Sequence, residues 1–234
     1  MDYAQKWHAK AKMCAEQGIL DDMVSNELFD HTWMASIHQL EKHLKITDGH
    51  KLLDAGCGWG RLLFGLKYFH PGVMIDGYEL TAQFVDRARK LVRQNNLQGG
   101  VRIIQGDLLQ TDIPTEYYDS FYSCRVFHYI EKKELLIAKL YSSLKFGGRG
   151  IVILPNRNCP YQWLKYKHAP LYPIRSIGEM MKAVGFKKTY YGGYRFLPAS
   201  IRFPHNSFVS AIEKCLGSTP LGKFGGLAYV VGEK

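Results

Sequence analysis

Three glycines alternate with other residues in Asp54-Ala55-Gly56-Cys57-Gly58-Trp59-Gly60, directly after Lys51-Leu52-Leu53. Glycines there let the backbone turn sharply and come close to a ligand, and a helix starting beyond the loop offers unpaired N–H groups to an anion. The dinucleotide fingerprint G-x-G-x-x-G, counted from Gly56, requires glycine at position 61, where Arg61 stands. The spacing is G-x-G-x-G, headed by an acid. Two more acids follow later apolar runs, Glu79 in Gly77-Tyr78-Glu79-Leu80 and Asp107 in Gly106-Asp107-Leu108. Carboxylates at the ends of strands accept hydrogen bonds from the hydroxyl and amino groups of a ligand lying across them. Taken singly, these residues read equally as a turn glycine, a capping aspartate and a solvated glutamate. His128, in Val126-Phe127-His128-Tyr129, reads on its own as a partly exposed histidine at a helix start.

The elements that position these residues follow from periodicity. Short apolar runs predict strands at 51–55, 73–78, 101–105, 118–123 and 150–154, and helices are expected between them at 61–68, 81–95 and 133–144. Thr81 is placed to cap the second of these helices. Strands alternating with helices at this spacing predict a parallel sheet covered on both faces. Before it, residues 4–45 show helical periodicity, with Leu28, Trp33, Ile37, Leu40 and Leu44 at three- and four-residue steps and Gly18 dividing two helices. After it, residues 155–173 are rich in proline and aromatics without a clean period. A helix at 176–184 ends at Gly185, a good C-cap residue. Strand-like residues 188–196, an amphipathic helix at 206–216 and a last strand at 227–231 complete the pattern.

The sequence has 234 residues, 46% hydrophobic and 22% charged, enough for one large domain that needs no disulfide or metal staple. The five cysteines contain no C-x-x-C pair, so they read as reduced thiols of a cytoplasmic protein, with no disulfide framework and no metal site. The first residues do not read as a signal peptide, and no apolar stretch approaches the ~20 residues of a membrane span. The net charge of +10 is uneven: residues 1–119 hold 13 Lys and Arg against 16 Asp and Glu, and residues 120–234 hold 18 against 5. Such asymmetry points to an anionic partner for the second half, against the plainer reading of a soluble basic surface.

Between about Lys51 and Leu154 the chain resembles the class I S-adenosylmethionine-dependent methyltransferases of the small-molecule branch, with several motifs in order. The glycine loop, Glu79, Gly106-Asp107-Leu108 with Ile113-Pro114 beyond it, and Tyr118–Ser123 followed by Val126–Ile130 all match. So does Leu144-Lys145-Phe146-Gly147-Gly148-Arg149-Gly150, with Phe146 where proline is usual. The resemblance implies a Rossmann-like α/β fold with a seven-stranded sheet in the order 3-2-1-4-5-7-6, the last strand antiparallel. It implies S-adenosyl-L-methionine as cofactor and S-adenosyl-L-homocysteine as its product. Glu79 then takes the ribose hydroxyls, with Leu80 beside it; Asp107 takes the adenine amino group, with a backbone N–H from Leu108 to the ring. Asp54 and the carbonyls near Cys124 suit the ammonium, and Gly56, Cys57, Gly58 and Gly60 admit the cofactor. Glu79 is expected to face the site and carry little packing. His128, after the fourth strand and near the expected methyl group, is then the candidate general base, although the family often has histidine one residue later, where Tyr129 stands.

Residues 1–48 are expected to form a helical lid, and residues 49–234 the catalytic domain with acceptor-side insertions at 155–175 and 197–226. The insertions supply Tyr161, Trp163, Tyr166, Tyr172 and Phe203 with Arg157, Lys165, Lys167, Arg175 and Arg202; Arg195 lies beside them. Aromatic walls with a few cations suit a small organic acceptor bearing a carboxylate or phosphate. His168 and His205 are weaker candidates for a base. The competing class is RNA methylation by the basic half. It is disfavoured because Cys124-Arg125-Val126-Phe127 is not the Asn/Asp-Pro-Pro-aromatic motif, and Cys124 lacks the flanking proline of a pyrimidine-attacking thiol and reads as buried and inert.

Overall fold

Alternation along each strand sends successive side chains to opposite faces, so two different helical layers are needed to bury them. The computed structural model describes residues 31–165, 171–196, 212, 215–216 and 219–234. In chain order its elements are α1 (His31–Leu44), β1 (Lys51–Ala55), α2 (Arg61–Phe69), β2 (Met74–Glu79), α3 (Ala82–Gln94), β3 (Val101–Gln105) and β4 (Tyr118–Cys124). A 3-10 turn (Phe127–Tyr129) leads to α4 (Lys133–Ser143), β5 (Leu144–Pro155), α5 (Pro160–Lys165), α6 (Ile174–Ala183) and β6 (Lys187–Tyr194). A second 3-10 turn (Pro220–Phe224) precedes β7 (Leu227–Glu233).

The strands form one seven-stranded sheet in the order β3-β2-β1-β4-β5-β7-β6. β1 to β5 pair in parallel, and β7 runs antiparallel to both β5 and β6, as the resemblance implied. On one face Leu52, Ile75, Tyr122, Ile151, Ile153 and Val231 pack under α1, α2 and α3. On the other, Leu53, Tyr78, Phe121, Val152, Leu154 and Val230 pack under α4 and α6. The shift by one residue, Leu52 to Leu53 or Phe121 to Tyr122, is the pleat itself.

Ile37, Leu40 and Leu44 of α1 are fully buried in the first layer, so this helix is part of the core. The helix expected before Gly18, most of that at 206–216, and residues 197–211 of the insertion at 197–226 lie outside the described residues. Gly185 takes φ +115 and donates to the Lys182 carbonyl, as a helix-ending glycine does. The fifth strand is longer than its apolar run, because Tyr118 pairs with Leu144 and Ser120 with Arg149 across a bulge. The glycines expected as a turn are therefore a bulged entry to β5, where Gly147 donates to the Lys234 carbonyl and Lys234 donates back to Gly148. β6 stops at Tyr194, since Arg195 takes φ +65 and leaves the extended region.

Candidate functional site

The sheet reverses its strand order between β1 and β4, and open α/β sheets bind ligands at the carboxyl ends flanking that switch. Registers place the ends together: Ala55 pairs with Tyr78, Glu79 with Gln105, Asp54 with Tyr122 and Cys124 with Ile153. The loop after β1 is folded back onto β2, with Gly56 and Cys57 N–H both donating to the Tyr78 carbonyl at 2.9 Å. Gly56, Gly58 and Gly60 all have positive φ. A Cβ on Gly56 would meet Val126, and one on Gly60 would meet Phe64, while one on Gly58 meets nothing within 4 Å. Gly58 is therefore the glycine that borders open space.

Glu79 closes this loop. Its Oε2 accepts from Gly58 N–H and its Oε1 from Thr81 N–H, each at 2.9 Å, and Gly106 N–H donates to its carbonyl. Only 6% of Glu79 is exposed, which corrects the expectation of a residue with little packing. Its two oxygens, spent on the backbone of two separate loops, drew it inward. Thr81 occupies the N-cap position of α3, but its side chain makes no capping bond. Leu80 beside it is 38% exposed.

Asp54, 3% exposed, stands next to the Tyr122 hydroxyl. Burial pushes its pKa up to about 8 against the pull of that hydroxyl, and the Glu79 charge adds to the rise. Cys57 turns its thiol into the core, where a Cβ on Gly77 would strike it, and burial holds the thiol protonated. What Cys57 can offer a ligand is backbone. Asp107 is preset by Leu109 N–H on Oδ1 at 2.9 Å and Gln110 Nε2 on Oδ2 at 3.0 Å, beside the buried Leu108.

Beyond β4, burial pushes the Cys124 thiol up despite the opposing charge of Arg125, in line with an inert thiol. His128 sits in the 3-10 turn, 5% exposed, its ring 3.8 Å from that of Tyr129. Burial, with Arg125 and Lys133 nearby, lowers its pKa to about 3, so the imidazole is neutral at physiological pH. Two contacts here had no local sequence signal. The Arg61 guanidinium lies 3.7 Å over the Trp33 ring, and Arg125 lies 4.8 Å over the same ring, which ties α1 to the start of α2 and to the loop after β4. His168 and His205 are outside the described residues.

Residues 52–148 match the family described as "Methyltransferase domain". The chain is 27% identical over 123 residues to sterol 24-C-methyltransferase of Pneumocystis carinii, a stretch that is 53% of this chain and 32% of that protein. This chain thus spans about a third of the length of that relative. Among solved structures, a SAM-dependent methyltransferase from Thermotoga maritima superposes with a TM-score of 0.67 at 17% identity, covering 97% of this chain and 99% of that one. Phosphoethanolamine N-methyltransferase 2 of Haemonchus contortus, in complex with phosphomonomethylethanolamine and S-adenosylhomocysteine, superposes with a TM-score of 0.65 at 16% identity, over 86% of this chain and 52% of that one. Residues 52–148 thus match a methyltransferase domain, and the sheet that carries them has the Rossmann-like fold of the SAM-dependent methyltransferase structure on which the chain superposes. Among the described residues no helix is long and apolar enough to cross a membrane.

Proposed function

We propose that the chain transfers a methyl group from S-adenosylmethionine to a small organic acceptor bearing a carboxylate or phosphate. The observation that carries this reading is Glu79, a buried carboxylate fixed by two loop N–H groups beside the open face of Gly58. Glu79 would take the ribose hydroxyls through its remaining lone pairs, Leu80 would flank the adenine, and Asp107 with the Leu108 backbone would hold the ring edge. Asp54 would meet the ammonium, because a cation restores the charge that burial suppresses. The loop of Gly56, Cys57, Gly58 and Gly60 would follow the cofactor's backbone, and the Cys124 carbonyl would complete the ammonium site.

When bound, the cofactor supplies an already activated methyl group. The protein's task is to hold the acceptor in line and keep water out. The neutral imidazole of His128 would accept a proton from an acceptor that starts protonated. The charge split and the phosphate-bearing ligand of the Haemonchus contortus neighbour support an anionic acceptor. The test is transfer of labelled methyl to a panel of small carboxylates and phosphomonoesters, with bulk tRNA alongside. Label appearing in the RNA and in none of the small acceptors overturns the reading in favour of nucleic-acid methylation.

A further inference from the structure

We propose that Arg195 holds the anionic group of the methyl acceptor, in a pocket wall shared with Cys124, Tyr161 and Tyr194. This inference rests on the acceptor reading above and assigns it a residue. Arg195 follows β6 and is 4% exposed. Its Nε is buried with no hydrogen-bond partner, and no carboxylate among the described residues pairs with it. A guanidinium cannot shed its charge as a buried lysine can, so burial without a counter-charge stays unfavourable until an anion arrives.

The place matters as much as the burial. The guanidinium acts electrostatically on Cys124, at the carboxyl end of β4, and on the phenols of Tyr161 and Tyr194. β6 runs parallel to β5 across β7, with Tyr194 opposite Leu227 and Leu227 opposite Pro155, so Arg195 follows β6 at the carboxyl end of the sheet, where the cofactor cleft also opens. Its backbone is clamped from two sides: the Arg195 carbonyl accepts from Tyr161 Oη at 3.1 Å and from Gly226 N–H at 2.7 Å. That clamp accompanies φ +65, a region arginine seldom adopts, and Arg125, next to Cys124 in the chain, takes φ +61. Two cations with left-handed backbones therefore act on one uncharged thiol. Arg157, another expected cation, is exposed, and Lys167 and Arg202 lie outside the described residues.

A planar guanidinium whose Nε still lacks a partner can recognise carboxylate or phosphate in two parallel hydrogen bonds. Calorimetric titration of the full chain, saturated with S-adenosylhomocysteine, with inorganic phosphate and separately with acetate tests this and separates the two anions. The wild type is expected to bind at least one of them. Arg195→Met should weaken that binding about tenfold or more, with Arg195→Lys between the two. S-adenosylhomocysteine affinity and melting temperature should hold, since methionine refills the volume without a buried charge. Unaltered anion binding in Arg195→Met, or no anion binding by the wild type, overturns the inference. So does a loss of S-adenosylhomocysteine affinity in Arg195→Met, which would assign the guanidinium to the cofactor's own carboxylate. A wild type that binds no S-adenosylhomocysteine overturns the proposed function itself, and this assignment with it.

Discussion

Gly58 donates its backbone N–H to Glu79 Oε2 at 2.9 Å, so the loop after the first strand is latched to the end of the second. The latch is charge-assisted and buried. Glu79→Gln removes the charge and presents an amide donor to one of two backbone donors, Gly58 or Thr81. A hydrogen bond to a charged group contributes about 1.5–3 kcal/mol. The variant should bind S-adenosylhomocysteine about 10–100-fold more weakly and melt at a lower temperature. Calorimetry together with a melting curve checks both; an unchanged dissociation constant removes Glu79 from the cofactor site.

Asp54 gives a pH signature. Its carboxyl ionises at about 8 in the fold and at the ordinary value of 3.8 in the unfolded chain, so between those values the folded state holds the extra proton. Stability should then fall as pH rises through that window, and Asp54→Asn should lack this part of the slope. A cationic ligand favours the ionised form, so binding at pH 7 should release a proton and tighten toward pH 8. Titrations in two buffers of different ionisation enthalpy measure the proton; equal apparent enthalpies would contradict the assignment.

His128 carries the opposite sign. With its pKa lowered to about 3, its contribution to stability is complete above about 6.5 and is lost as pH falls toward 3. On the proposed role, His128→Ala should lower kcat about 100-fold, the low end for a proton acceptor of mismatched pKa. S-adenosylhomocysteine affinity should stay the same. The wild-type rate should show no histidine limb near pH 6.5. A kcat within twofold of wild type would take His128 out of the reaction.

The glycines of the loop should separate by neighbour. Gly58→Ala costs about 1–2 kcal/mol for its left-handed backbone, should fold, and should block the cofactor, because the methyl group points into open space. Gly56→Ala adds a collision with Val126 to the same strain and should lower the melting temperature further. Equal melting temperatures for the two variants would show that Val126 yields freely.

These contrasts trace what the sequence could and could not disclose. The glycine loop, Glu79 and Asp107 were legible because each is fixed by its own strand, and strand ends follow from local apolar runs. The strand order was legible through the family resemblance. Arg195 could be named only as one of several basic residues, since the groups that enclose it come from positions 124, 161, 194 and 226. Trp33 stacking on Arg61 and Arg125 joins three distant segments in the same way. The length of β5 was hidden by a bulge whose glycines read as a turn. Non-local packing leaves no periodicity to detect.

β7 fills the place between β5 and β6 while following both in the chain. During synthesis, then, five parallel strands can assemble while the outer rim of β5 has no neighbour and β6 has nothing to join. A nascent chain released or stalled before residue 227 would display an unpaired hydrophobic rim, Ile151, Val152 and Ile153, to any strand it meets. Ribosome pausing late in the message, or slow handover to a chaperone, should therefore cost more soluble protein than an equal delay after β7 has emerged.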